Sequence, residues 1–367
     1  MKLVHITLLS LIALSGCSDD SDSSDDDRST GQITPTGISG LSYSTASQSG
    51  ITDSRGRFRY YPGEQLSLRV GDLELFSGIP ARDFVTPLDF DAQIRSQLDQ
   101  ASLTDEGLLS HRPTEQRLFS QNVVMNTTRL LLALGWRTDL RDGRAIDIRQ
   151  RVITQLNEAL PNLSAPIDFS VPPAAFASGG DEPSPANQLL NEICFFPPQS
   201  ELCEEPPTLE EVEIAPDVPE DPTKRLEDVE YKQDLESKRK RILGAIREVD
   251  DISEDKVEEY LTRELDIVTV GRGNRYLLNA STASHPASDT SIKTVKIRRV
   301  GGQPNLEELE VLNTNEVDIV VHAFNELTAD VDYFVAGPSG KEGTLLINFK
   351  PAGDYRWVKK QLRVIIQ

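Results

Sequence analysis

More than half of the chain's 22 prolines fall in one block, from Pro166 to Pro222. Each proline removes a backbone donor and fixes φ, so neither a long helix nor a central strand can run through such a block. The block predicts an extended, semi-stiff connector that divides the 367 residues into two unlike parts. The expected fold class is therefore α+β and multidomain. An N-terminal small antiparallel β-module with a helical layer (37–160) leads into a Pro-rich acidic linker (161–222). A pair of charged helices (223–265) then leads into a C-terminal all-β, sandwich-like domain (266–367).

Ahead of these lies a leader. Lys2 is followed by a mostly apolar run from Leu3 to Leu14 and by Ser15-Gly16-Cys17, the layout of a secretory signal peptide (1–16). The run is shorter than the ~20 residues that cross a bilayer, and no later apolar run is longer than Leu130–Leu134. The ending Leu14-Ser15-Gly16-Cys17 resembles the lipobox of bacterial lipoproteins. That resemblance implies lipidation of Cys17 and a membrane partner reached through the lipid. Ser18 in place of an aspartate after the cysteine implies the outer membrane. Residues 17–36 are Ser/Asp-rich with Ile33 as the one bulky apolar side chain, so they are expected to form a disordered acidic tether.

The net charge of −21 is concentrated. Six aspartates lie between Asp19 and Asp27, and nine acids from Glu201 to Asp221 run without a basic residue. An acidic chain cannot neutralise phosphates, which sets nucleic acid aside as a partner. Of the three cysteines, Cys17 is assigned to lipid. Cys194 and Cys203 are then expected to form a disulfide in an oxidising compartment, stabilising by roughly 2.5–3 kcal/mol through loop closure, with two free thiols as the alternative.

From Gly37 to Phe90 the apolar residues fall at period two, broken by turns at Asp53–Gly56, Pro62-Gly63 and Gly71-Asp72, as in a set of short antiparallel strands. Helical spacing takes over to Leu160, with Leu130, Leu131 and Leu134 on one face and Val152, Ile153 and Leu156 on another. Thr114 is a candidate helix cap, although Arg117 stands where a capping box needs Glu or Gln. After the connector, Leu226, Val229, Leu235, Ile242, Ile246 and Val249 form a sparse stripe, and Ser253 is placed to cap a second helix. Ile267–Val270, a Gly271–Asn274 turn and Arg275–Asn279 read as a hairpin. Six further strands are expected, at 292–300, 307–312, 317–324, 331–335, 344–349 and 361–366.

Ser49-Gly50-Ile51-Thr52-Asp53-Ser54-Arg55-Gly56-Arg57-Phe58 resembles the G-x-T-D-x-x-G-x-F signature of transthyretin-like and carboxypeptidase-regulatory-like β-modules. In those modules Asp and Gly set a tight turn, Phe enters the core, and the role is accessory or adhesive. With Gly40–Thr45, Val85–Asp89 and Asn126-x-x-Arg129-Leu130-Leu131, residues 37–150 resemble a set of proteobacterial lipoproteins. Some of those are labelled organic-solvent ABC transporter permease. A chain without spans is not itself a permease, so the resemblance implies at most an accessory subunit.

No constellation of catalytic residues stands out. Ser284, His285 and Asp289 are crowded into one expected loop, whereas a triad converges from separate elements. His322 follows a strand and His111 reads as part of a surface turn. Asp139, Asp142 and Asp147 are weak metal candidates whose spacing misses an EF-hand. Lys238–Arg241 reads as a solvated helix face paired with Glu236 and nearby acids. The expectation is a non-enzymatic, lipid-anchored binding, scaffold or adhesion component of the envelope with protein partners and no cofactor. Two alternatives stay open: an accessory subunit of a lipid or solvent transport system, and a hydrolase whose site assembles only in three dimensions.

Overall fold

The computed structural model describes residues 28–139 and 143–367. The expected signal peptide, Cys17, the first part of the expected tether and Asp142 lie outside them. The chain folds first into small sheets. Strands β1 (Ser29–Ile33), β2 (Ile38–Ser39), β3 (Ser42–Ser44), β4 (Ser49–Ile51), β5 (Arg57–Tyr60), β6 (Gln65–Val70), β7 (Leu73–Pro80) and β8 (Phe84–Val85) follow one another. They form a four-stranded antiparallel sheet, β4-β3-β6-β7, and a three-stranded sheet, β5-β1-β8.

Strand β1 corrects the expected tether over residues 29–36. Ser29–Gln32 pair antiparallel with β5, and Ile33 is fully buried. Gly31 explains why so polar a stretch is ordered. A Cβ there would lie 2.3 Å from the Phe58 ring, so only glycine lets this backbone cross that aromatic face. The strand is stabilised by its ladder of hydrogen bonds more than by its own side chains. The G-x-T-D turn has the expected local chemistry. Asp53 Oδ1 accepts the amides of Arg55 (2.9 Å) and Arg57 (3.0 Å), Gly56 has φ +70°, and Phe58 is in the core. Thr52 Oγ1 donates to Ile38 O at 2.7 Å and accepts the Leu41 amide at 3.0 Å, so this threonine ties two strands together.

Two short helices, α1 (Pro87–Phe90) and α2 (Ala92–Arg95), and a hairpin of β9 (Ser102–Leu103) with β10 (Leu109–Ser110) lead to α3 (Arg112–Phe119) and α4 (Asn122–Leu134). Thr114 lies inside α3, where its hydroxyl donates to Gln100 O; His111 occupies the cap position. Strand β11 (Ile146–Asp147) pairs parallel with β2 and is followed by α5 (Gln150–Ala159).

The Pro-rich block is more than a linker. Its first half folds onto this body through α6 (Pro173–Phe176) and α7 (Pro185–Asn191), both begun by a proline in the first turn, where a missing amide costs nothing. Phe176, Leu189, Leu190, Ile193 and Phe195 are buried in the same core as the N-terminal strands. Asn187 staples the segment. Its Nδ2 donates to Ala177 O (3.1 Å) and Ser178 O (2.8 Å), while its Oδ1 accepts the Val249 amide at 2.7 Å. The disulfide between Cys194 and Cys203 is formed, with an S–S distance of 2.06 Å.

Next come α8 (Leu209–Ile214), α9 (Lys232–Leu243) and α10 (Glu254–Gly273). The stripe expected to begin at Leu226 starts later, since α9 opens at Lys232 and Leu226 is exposed. Helix α10 corrects the expected hairpin at 267–279. Ser253 Oγ accepts the Lys256 amide at 3.3 Å, and buried Val257, Tyr260, Leu261, Glu264, Leu265 and Val268 keep helical spacing straight through the β-branched run. A β-branched residue costs only about half a kcal/mol in a helix, which a buried face of this length outweighs. Tyr260 donates to Thr34 Oγ1 (3.2 Å) and Glu264 accepts the Thr36 amide (2.8 Å), so α10 also fastens the expected tether.

The remaining chain is β12 (Tyr276–Leu278), β13 (Thr282–His285), β14 (Lys293–Arg299), β15 (Leu306–Asn313), β16 (Ile319–Asn325), β17 (Asp330–Val335), β18 (Glu342–Pro351) and β19 (Val358–Ile366). Two four-stranded sheets, β12-β14-β17-β16 and β13-β19-β18-β15, share one core in which Val295, Val331 and Val335 meet Leu345, Ile347 and Val364. Among the described residues no helix is long and apolar enough to cross a membrane.

Candidate functional site at the junction of the two bodies

The two cores meet at a buried polar cluster. His111 enters from the start of α3, Thr269 from α10, and Tyr355, Arg356 and Trp357 from the loop between β18 and β19. His111 is 1% exposed, which corrects its reading as part of a surface turn. The sequence around it, Ser-His-Arg-Pro, has every local mark of a turn; the covering surface arrives from residues some 160–250 positions away.

Both imidazole nitrogens are engaged. The Trp357 amide donates to Nδ1 at 3.0 Å, so the proton sits on Nε2, which faces Thr269 Oγ1 at 3.2 Å. Burial, reinforced by the charges of Arg356 and Arg112, lowers the His111 pKa to about 3. Glu115, one turn along α3, has a carboxylate oxygen 3.9 Å from Nε2. Its pKa is raised by burial, against the pull of Arg356. Tyr355 donates to Glu115 Oε1 at 2.7 Å, and burial raises the Tyr355 pKa well above its usual value. Arg356 lies over the Tyr355 ring at 4.2 Å and approaches Asp354 at 3.4 Å. Arg272, from the last turn of α10, completes the weld by bridging Asp354 (3.3 Å) and Asp83 (3.7 Å).

Beside the cluster opens a cleft of about 250 Å³, where Arg82, Asp89 and Arg95 face Glu307, Asp354 and Tyr355. Arg95 is committed to backbone, donating to Phe90 O at 2.9 Å and Gly78 O at 3.1 Å. Asp89 Oδ2 caps α1 through the Thr86 amide and hydroxyl, both at 2.8 Å. These groups hold a junction in one geometry. His111 has no nitrogen left for a substrate proton.

The other sequence candidates do not assemble. His285 lies in β13, not in a loop, and its Nε2 meets Tyr333 Oη at 2.9 Å. Asp289 instead accepts from Ser291 (2.6 Å) and pairs with Lys293 (3.2 Å). His322 is exposed on β16. Asp147 pairs with Arg149 at 3.0 Å, and Asp139 lines a separate cleft of about 350 Å³ with Lys256 and Glu259. Among the described residues no group of His, Cys, Asp and Glu is disposed to hold a metal. The basic run on α9 pairs with the connector, not with Glu236: Lys238 meets Glu204 and Arg241 meets Glu201, both at 2.6 Å. Arg239 donates to Pro207 O, also at 2.6 Å. Opposite charges placed some 35–40 residues apart are legible as separate blocks, but not as partners.

No family model matches this chain, and no curated protein matches it.

Proposed function

We propose that the chain is an exported, lipid-anchored component of the bacterial outer membrane that works as a binding scaffold and not by catalysis. The observation that carries this reading is the formed Cys194–Cys203 disulfide in a chain whose third cysteine, Cys17, ends a leader-like run. A disulfide persists in an oxidising compartment, and an export leader delivers a chain there. Strand β1 begins at Ser29, twelve positions after Cys17. Twelve peptide spans reach at most ~40 Å, which holds the first β-body close to the surface that carries the lipid. The welded junction supports a scaffold role, because it fixes the C-terminal sheets relative to the N-terminal body. Nothing at His111 favours hydrolysis, since both its nitrogens are bound within the protein.

The test replaces Cys17 by Ala and follows both membrane fractionation and incorporation of a radiolabelled fatty acid. Loss of label together with release into the soluble envelope fraction is expected. Continued membrane association of the variant would overturn the anchor.

A further inference from the structure

Helices α8 and α9 form an arm of their own. Val212, Tyr231, Leu235 and Ile242 are buried there but belong to neither of the two cores. The arm is held at the loop closed by the disulfide, through the pairs of Lys238 with Glu204 and Arg241 with Glu201. Between the helices runs a groove of about 400 Å³ whose apolar surface comes from Pro207, Ile214 and Leu235 and whose acidic rim comes from Glu205, Glu211 and Glu230. Ile214, which lines it, is 77% exposed. An exposed apolar side chain set in a groove marks a contact surface more than one standing alone on a convex face does.

Charge identifies the occupant. The one cation lining the groove, Lys238, is already taken by Glu204. Glu205, Glu210, Glu213 and Glu230 have no ion pair among the described residues. An apolar side chain entering against Ile214 therefore arrives beside Glu205 and Glu230, two lining carboxylates without an ion pair among the described residues, which favours flanking lysine or arginine. We propose that this groove docks a basic amphipathic segment of a protein partner. The proposal deepens the scaffold reading by naming the partner's chemistry, and it does not depend on the lipid. An anionic membrane is the alternative occupant, and the acidic rim repels it.

The test uses the mature chain from residue 17 and a labelled helical peptide of leucine and lysine, about 15 residues long so that it holds a helix. Binding is read by fluorescence anisotropy, beside a peptide with glutamate in place of lysine and vesicles containing anionic lipid. Saturable binding of the lysine peptide alone is expected. It should weaken about tenfold or more in Ile214→Ser, the loss typical of a central contact. It should also weaken in Glu205→Gln/Glu230→Gln, but not in Asp255→Gln/Glu258→Gln on the acidic face of α10. All the replaced residues are exposed, and thermal melts confirm that each variant folds. Undiminished binding in the groove variants, equal loss in the α10 variant, or equal binding of the glutamate peptide or the vesicles overturns the proposal. Because lipidation of Cys17 plays no part in the measurement, its failure leaves the Cys17 result untouched, and the reverse also holds.

Discussion

The Trp357 amide donates to His111 Nδ1 at 3.0 Å across 246 positions of sequence. This one bond selects the imidazole tautomer, satisfies a buried amide and joins the two cores. It makes the junction a cooperative part of the fold more than a hinge.

Replacing His111 by Ala leaves the Trp357 amide without an acceptor and opens a cavity beside Thr269. An unsatisfied buried donor costs about 1–3 kcal/mol before the cavity is counted. The expected loss of about 2–4 kcal/mol on urea unfolding should come with separate melting of the two bodies. A single transition of unchanged midpoint would contradict the role assigned to this contact.

The junction also sets a dependence on acid. The folded pKa of His111, about 3, lies below the unfolded value near 6.5. The unfolded state therefore binds the extra proton, and stability present above pH ~6.5 is lost as pH falls toward 3, at up to ~1.4 kcal/mol per unit. Glu115 acts in the opposite sense, because its raised folded pKa makes the folded state the better proton acceptor just above the usual carboxylate range. Comparing wild type with His111→Asn between pH 7 and 4 isolates the histidine. The variant should lose stability less steeply.

Tyr355→Phe removes the hydroxyl that donates to Glu115. A buried hydrogen bond of this kind is worth about 1–3 kcal/mol, and the loss should largely vanish in a Glu115→Leu background, which keeps no acceptor. A double-mutant cycle measures it; additive effects would place the Tyr355 contribution elsewhere.

Gly31→Ala brings a methyl group against the Phe58 ring and within 2.5 Å of Arg82 O. Overpacking of this kind costs about 1–3 kcal/mol. Protease cleavage near residues 29–36 should rise sharply while the C-terminal sheets stay protected.

Cys194→Ala/Cys203→Ala should cost about 2–3 kcal/mol locally. Faster hydrogen exchange is expected across 205–243 with little change in either core, because the arm leans on the loop that the disulfide closes. Uniform exchange changes throughout the chain would show the arm to be integral to the first body.

Some of this architecture was legible in the residues themselves. The Asp53–Gly56 turn rests on bonds that Asp53 makes within four residues, so composition alone specifies it. The Cys194–Cys203 pair followed by elimination, since assigning Cys17 to lipid leaves just two cysteines. Strands β14, β17 and β19 alternate because one face of each meets the other sheet, and period two records that directly.

The rest depends on groups that sequence keeps far apart. Strand β1 looks like tether because its order comes from hydrogen bonds to β5 and β8 and from a glycine over Phe58, not from apolar side chains. Helix α10 absorbs Ile267–Val270 because burial of Val268 continues a helical face, a matter of what lies opposite. The Pro-rich block looks like a linker until Phe176, Leu189 and Phe195 find the first core. His111 carries the same local signature as a surface turn, and only the arrival of Trp357 and Thr269 makes it a buried neutral base. Sequence by itself determined the elements whose stabilising contacts are local or periodic. Tertiary structure alone decided which polar residues are buried and paired, because desolvation and long-range hydrogen bonding leave no periodic trace in the chain.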